Sequence, residues 1–420
     1  MASKLDNARA WEARLERASA YALYLHVPFC AQKCAYCDFA SWATHRGDPL
    51  MSAYADALVS QVRELEGLGV LEGLHTAYIG GGTPSLLGAP VLGRLVACAS
   101  ALGPEELSCE ANPDSLGNDV IEVLLSNGAT RVSIGVQSLV DTELVELGRL
   151  HDSALAQERV RAAVGSGLDV SCDLMCATPG QTDASWQETL EAAIALGVSH
   201  MSVYPLMIED GTAFDLRYSS DECAWNSDEV QARRMQKAQV ELERHGFNQY
   251  EVASYAKAGK TCKHNIAYWT ARPYFGLGTK ASSMLTLNLY LKLCDACRSL
   301  PEPSSEASRA RLTVKNSRSE IARDPQLASL RFDIEFLTDA QAAAEDLMLG
   351  ARMRAGLDPG LVAHARRLLP SLDECLDGLV TDGYLTVREG RFTPTDRGWL
   401  LGNELYERLW DLAPGDVLEL

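Results

Sequence analysis

Between Met51 and Leu68 apolar residues recur at the spacing of one helical face, and the pattern then switches to a short apolar run, Thr76 to Ile79. The switch repeats down the chain. Runs at Leu107 to Glu110, Arg131 to Gly135, Val170 to Met175 and His200 to Tyr204 are each separated by an amphipathic stretch long enough for a helix. A further strand-like run leads into Cys30. Strands alternating with helices predict a parallel sheet with crossover helices, and about six repeats predict an α/β fold, a partial or full parallel (β/α) barrel. In such barrels the site lies at the C-terminal ends of the strands.

The texture changes further on. The stretch 288–335 is polar, with PEPSSEAS reading as a loop, and from Phe336 the pattern turns helical. Asp339 to Met353 is amphipathic, Leu372 to Gly383 precedes a hairpin signal in YLTVREGRFTPT, and a helix is expected from Arg397 to Trp410. The predicted organisation is an N-terminal extension over 1–20, a barrel with its accessory region over 21–287, a polar linker or insertion over 288–335 and a small C-terminal domain over 336–420. A length of 420 residues suits one large and one small domain.

Composition narrows the setting. With 47% hydrophobic and 23% charged residues the chain reads as an ordinary globular protein, and its net charge of −19 argues against binding nucleic acid or an anionic membrane surface. No apolar run approaches the roughly 20 residues of a membrane helix, and MASKLDNARAWEARLERASA lacks the apolar core of a secretory signal. A cytoplasmic location is expected. The twelve cysteines are scattered, so they read as reduced thiols, most of them buried among apolar neighbours as at Cys98 and Cys375. Cys294 and Cys297 form a lone CxxC without a companion pair.

The candidate chemistry starts at Cys30, Cys34 and Cys37, a CxxxCxxC spacing directly after the first strand. A loop wraps three such thiolates around one small metal centre, and soft sulfur favours iron-sulfur, copper(I) or zinc. Three ligands without an obvious fourth leave one position open, as a [4Fe-4S] cluster with an accessible iron requires. A closed zinc site would need a fourth ligand such as His26 or His45, and a ferredoxin-like loop a fourth cysteine. Later strand ends carry Gly80, Gly81, Gly82 and Thr83, then Glu110 and Asn112, then Gln137 and Ser138 with Arg149 beyond, then Asp173. Singly each suits a turn or a cap; at successive strand ends they form a candidate ligand site.

The Cys30 to Cys37 pattern with Tyr36 before the third cysteine resembles the radical S-adenosylmethionine (SAM) superfamily. HVPFCxxxCxYCDF, GGGTPS, EANP, SIGVQS with Gly148 to His151, and DLMCATPGQT resemble its coproporphyrinogen-dehydrogenase-like branch. The resemblance implies a [4Fe-4S] cluster on Cys30, Cys34 and Cys37, and SAM contacts from Tyr24, Gly81, Gly82, Thr83, Glu110, Gln137, Arg149 and Asp173. Carboxylates suit the ammonium or ribose hydroxyls of SAM, while Arg149 and backbone amides suit its carboxylate. Oxygen-independent coproporphyrinogen III oxidases in this branch carry a further cysteine where this chain has Phe39, and a longer segment before the cluster. Both differences favour the heme chaperone HemW group, which implies heme as cargo and a heme-accepting protein as partner, soluble or membrane-bound. A radical SAM enzyme acting on a tetrapyrrole is the alternative.

His264, Asn265, Tyr268 and Trp269, in KHNIAYW, match the HNxxYW motif that resembles the heme-associated motif of the group. Imidazole suits an axial iron position and aromatic rings suit a porphyrin face, whereas a histidine beside an asparagine also fits a hydrogen-bonded structural role. Cys262 is an alternative thiolate ligand. The chain departs from the pattern in YFGLGTKASSML, where Lys280 and Ser282 replace a small residue and a histidine. The C-terminal part resembles the family's winged-helix-like domain, for which the acidic balance favours a lid or docking role over DNA.

Overall fold

A computed structural model describes residue 11 and residues 19–218, 224–297, 300–413 and 418–419. Of the extension expected over 1–20, residues 1–10 and 12–18 lie outside the described residues.

Six strands, β1 (Ala22–Val27), β2 (Thr76–Gly81), β3 (Glu106–Ala111), β4 (Arg131–Gln137), β5 (Asp169–Cys176) and β6 (His200–Pro205), pair in parallel in chain order. Their positions alternate: residues such as Leu107, Val132, Ile134, Val170 and Val203 pack in the apolar core under the crossover helices, while Ser133, Asp173 and Ser202 between them face the interior. The first of these helices, α1 (Pro49–Gly67), shows how sequence sets an element. The Asp48 side chain accepts from the Leu50 N–H at 2.8 Å, Pro49 occupies the first turn, and Met51, Tyr54, Leu58, Val62 and Leu65 fall on the buried face.

The arc does not close. Beyond β6 come two short antiparallel strands, Ser254–Ala256 and Asn248–Gln249. On the other flank β1 pairs in parallel with β7 (Tyr274–Leu277), and the sheet continues antiparallel through β8 (Ser282–Thr286), β9 (Ala307–Val314) and β10 (Phe332–Thr338) to Leu418–Glu419. The result is a partial barrel within one open sheet.

Two expectations need correcting. The stretch 288–335 is not a linker: it holds most of the helix Leu287–Ala296, all of β9 and the start of β10. The helix expected from Arg397 to Trp410 is two, Asp396–Leu400 and Gly402–Trp410, because Leu401 leaves helical geometry at φ −105°, ψ 40°.

Helices Pro359–Ala365, Leu372–Thr381 and Gly402–Trp410 and the hairpin Leu385–Arg388/Arg391–Pro394 pack around a second apolar core that includes Leu347, Leu361, Leu376 and Leu405, while Trp399 on Asp396–Leu400 joins the main core. A buried charge cluster ties this part to the sheet. Arg309 on β9 donates to both oxygens of Asp346 at 2.7 and 2.9 Å and to Glu345 at 2.9 Å, both acids lying on the helix Asp339–Gly350. No helix among the described residues is long and apolar enough to cross a membrane.

Candidate functional site

The chain leaves β1 at Val27 and forms a loop whose two arms pair in parallel, Phe29–Cys30 with Trp42–Ala43. The loop tip is held from both sides: the Ala35 N–H donates to the Leu147 carbonyl at 3.1 Å, and the Phe214 N–H donates to the Ala35 carbonyl at 2.9 Å. His26 fastens the returning arm, its ring nitrogens lying 2.9 Å from the Tyr24 hydroxyl and 2.9 Å from the Ala40 carbonyl. With both nitrogens engaged, His26 is not the fourth metal ligand that a zinc site would need, and His45 is exposed.

Cys30, Cys34 and Cys37 line one cavity of about 650 Å³ at the C-terminal ends of the parallel strands. That volume lies within the range of small-molecule sites. Burial pushes the Cys30 and Cys37 thiols up from their ordinary range, while the Thr83 hydroxyl, 3.5 Å from the Cys30 sulfur, opposes the shift at Cys30. Arg149 places its guanidinium 3.3 Å from the Cys34 sulfur. Among the described residues no three side chains are already drawn together as metal ligands. Three thiols on one loop with a cation beside them are nonetheless a donor set suited to iron-sulfur chemistry, which takes thiolates.

All eight positions expected to contact SAM line the same cavity. The glycine run abuts the cluster loop. Gly82 and Thr83 donate backbone N–H groups to the Val27 and Phe29 carbonyls at 2.9 and 2.7 Å, and a Cβ at Gly82 would stand 2.8 Å from the Phe29 backbone. The Gly81 N–H donates to Glu110 at 2.8 Å. The Gly81 and Gly82 amides are therefore committed within the protein, contrary to the expectation that they stand open to a carboxylate. Glu110 also accepts from the Tyr78 hydroxyl at 2.9 Å, and burial pushes its carboxyl up to about 7. Asp173 accepts from Ser133 at 2.9 Å, and burial pushes it up to about 6. Arg149 is fixed by Asn112 at 2.8 Å and the Gly135 carbonyl at 2.6 Å. Gln137 holds φ +67° beside a bulge in β4, a strained conformation of the kind found at ligand sites.

The cavity continues to the opposite end of the strands. His264, Asn265 and Tyr268, on the helix Lys263–Trp269, line its far wall, but Trp269 does not and sits by Arg352 instead. His264 is 1% exposed, with ring nitrogens 2.9 Å from the Thr76 hydroxyl and 3.0 Å from the Tyr268 hydroxyl, and its ring stacks on Tyr78. Burial lowers its pKa to about 3. Thr76 begins β2 and Gly81 ends it, and Tyr78 between them links the two: its ring centroid is 5.0 Å from that of His264, and its hydroxyl donates to the same Glu110 that accepts from Gly81. Cys262 is buried and donates to Glu106, and Cys297 donates to the Leu327 carbonyl at 3.1 Å away from the cavity.

Sequence reading missed Ser133, Ser171, Ser202 and His200, which also line the cavity. They sit at matched register on β4, β5 and β6. Their signal was three serines and a histidine placed within the predicted strands, where burial of a polar group demands a purpose.

Residues 24–193 match the Radical SAM superfamily. The chain is 31% identical over 395 residues to the heme chaperone HemW of Mycobacterium tuberculosis (strain CDC 1551 / Oshkosh), covering 93% of this chain and 94% of that one. It is 32% identical over 395 residues to HemW of Lactococcus lactis, covering 92% and 96%. Its fold is similar to that of coproporphyrinogen III oxidase (HemN) from Escherichia coli, a radical SAM enzyme, with a TM-score of 0.72 at 19% identity over 96% of this chain and 92% of the other.

Proposed function

The chain belongs to the family of the heme chaperone HemW, within the radical SAM superfamily, and we propose that it holds a [4Fe-4S] cluster, SAM and heme and passes the heme to an acceptor protein. The observation that carries this reading is the convergence of three loop cysteines and eight expected SAM contacts on one cavity, in a chain that aligns with HemW relatives over more than nine-tenths of its length.

Cys30, Cys34 and Cys37 would hold the cluster, which when bound supplies an electron source and an open iron for SAM. The rest is work for the protein. Arg149, immobilised by Asn112 and Gly135, puts a fixed positive charge beside Cys34 and within the cavity, where a carboxylate would find it. Asp173 and Glu110, raised to about 6 and about 7, can each accept or donate a hydrogen bond near neutral pH and suit ribose hydroxyls and an ammonium group.

For heme we assign His264 a supporting role. Both its ring nitrogens are engaged, so it orients the Tyr268 hydroxyl and backs the cavity wall against which Tyr268 and Asn265 meet the cargo. We place the protein in the cytoplasm, whose reducing poise keeps three neighbouring thiols available for iron. Its acceptor is a soluble or membrane-bound protein.

Anaerobic titration of the cluster-reconstituted protein with heme, followed by absorption and repeated with His264→Ala, tests the reading. Saturable binding in the wild type and a weaker but spectrally unchanged complex in the variant are expected. An altered ligand-field spectrum in His264→Ala would make the imidazole an iron ligand after all. No saturable binding in the wild type refutes the chaperone, and tetrapyrrole turnover coupled to 5′-deoxyadenosine release would put an enzyme in its place.

A further inference from the structure

Beside the main cavity lies a smaller chamber of about 350 Å³, bounded by the end of β1, the arm of the cluster loop at Phe39 and Ala40, and the turn between β7 and β8. The two spaces share Tyr24, Phe39, Gly81, Glu110 and Tyr268 as a common wall. Tyr24, Phe39, Tyr268 and Tyr274 give the chamber four aromatic walls, and Phe39 is 65% exposed at its rim. Such walls suit a flat apolar body.

One cation stands at this chamber. Burial lowers the pKa of His26, leaving it neutral, and the other formally charged lining residues are Lys280 and Glu110. Glu110 accepts from the Tyr78 hydroxyl and the Gly81 N–H on the wall shared with the main cavity, away from the β7–β8 turn that carries Lys280. Lys280 is exposed and makes no ion pair with a described residue. In a chain of net charge −19, a lone cation at an aromatic opening decides whether an anionic ligand is tolerated there.

The backbone at Lys280 gives a second, independent observation. Its φ is +63°, a conformation that glycine adopts freely and a lysine only with strain. The turn has no freedom to relax: Lys280 donates its N–H to Val314 at 3.0 Å, Ala281 to Gly278 at 3.0 Å, and Thr279 to the Tyr54 hydroxyl at 2.8 Å. The turn's hydrogen bonds hold this conformation, and the side chain that it presents is a long cation. Strained residues held by their surroundings mark ligand sites.

We infer that Lys280 is a carboxylate-binding residue at the entrance of the side chamber, where it engages an acidic side group of the tetrapyrrole while the aromatic walls cover the macrocycle. The inference rests on the heme reading above and gives the cargo an anchoring point. SAM also carries a carboxylate, so the test separates the two sources. Heme, heme dimethyl ester and SAM are each titrated into reconstituted wild type, Lys280→Ala and Lys280→Gly. Lys280→Gly removes the amine while suiting the turn, and a melting temperature at or above that of the wild type certifies its fold. Expected is a roughly fivefold to tenfold loss of heme affinity in both variants, with ester and SAM binding unchanged. Equal losses for heme and ester, an unchanged heme affinity, or a loss confined to SAM each overturn the assignment to a tetrapyrrole carboxylate while leaving heme carriage intact. Absence of saturable heme binding in the wild type overturns both readings together.

Discussion

Replacing Gly81 by alanine adds one methyl group at the seam between β2 and the cluster loop. Gly81 has φ +106°, and a Cβ there would stand 2.2 Å from the His26 ring and 2.9 Å from the Tyr24 hydroxyl. Two costs combine. The backbone conformation costs an L-residue about 1–2 kcal/mol. Forcing a methyl into filled space costs about 1–3 kcal/mol more, since His26 is tied at both nitrogens and has nowhere to turn. The total is about 2–5 kcal/mol. Gly103→Ala separates the terms: φ is +72° but nothing lies within 4 Å of its Cβ, so only the backbone cost remains. Urea unfolding of both apo variants, read by tryptophan fluorescence, should place the Gly81→Ala midpoint clearly below that of Gly103→Ala. Iron per chain after reconstitution should fall in Gly81→Ala alone, because its methyl pushes on the two residues that fasten the loop. Equal midpoints, or full iron loading in Gly81→Ala, would refute the claim that this glycine exists to seat the cluster loop.

Two more expectations concern buried charge. Arg309→Met strands Asp346 without its cation and leaves Glu345 only Arg311, and should cost about 3–5 kcal/mol, whereas Arg309→Met combined with Asp346→Leu should recover part of that loss; thermal melts of the three proteins decide it. Glu110 has a folded pKa of about 7 against 4.5 unfolded, so it binds more protons when folded, and its contribution is fully present below pH 4.5 and is lost as pH rises through 7. Glu110→Gln should therefore gain stability relative to the wild type on going from pH 5 to pH 8, and a pH-independent difference in melting temperature would contradict the burial argument.

The parallel half of the fold was legible because each strand carries apolar residues at its core-facing positions and recurs between amphipathic helices. The sheet's extension was not. In β9 the inward positions that secure the C-terminal part are Arg309 and Arg311, which pair with Glu345 and Asp346, so a charged strand looked like a polar loop. The three cysteines stood out by their spacing; the fold adds that they line one cavity with the strand ends. His264 was recognisable as a motif residue, but its role depends on Thr76 and Tyr268, and the Thr76 partner comes from a strand nearly two hundred positions away. The glycine run was read as an open amide cradle; only the fold reveals that those amides face Val27 and Glu110.

The grip on Ala35 also has a timetable. Both backbone partners that pin the loop tip, Leu147 and Phe214, lie far downstream. During synthesis Phe214 reaches the ribosome exit roughly 10–35 seconds after the cysteines, at about 5–20 residues per second. Through that interval the nascent loop lacks at least the second of its two backbone partners. Iron delivered then meets a floppy chelator rather than a shaped socket, so faithful loading belongs after translation has passed the sixth strand.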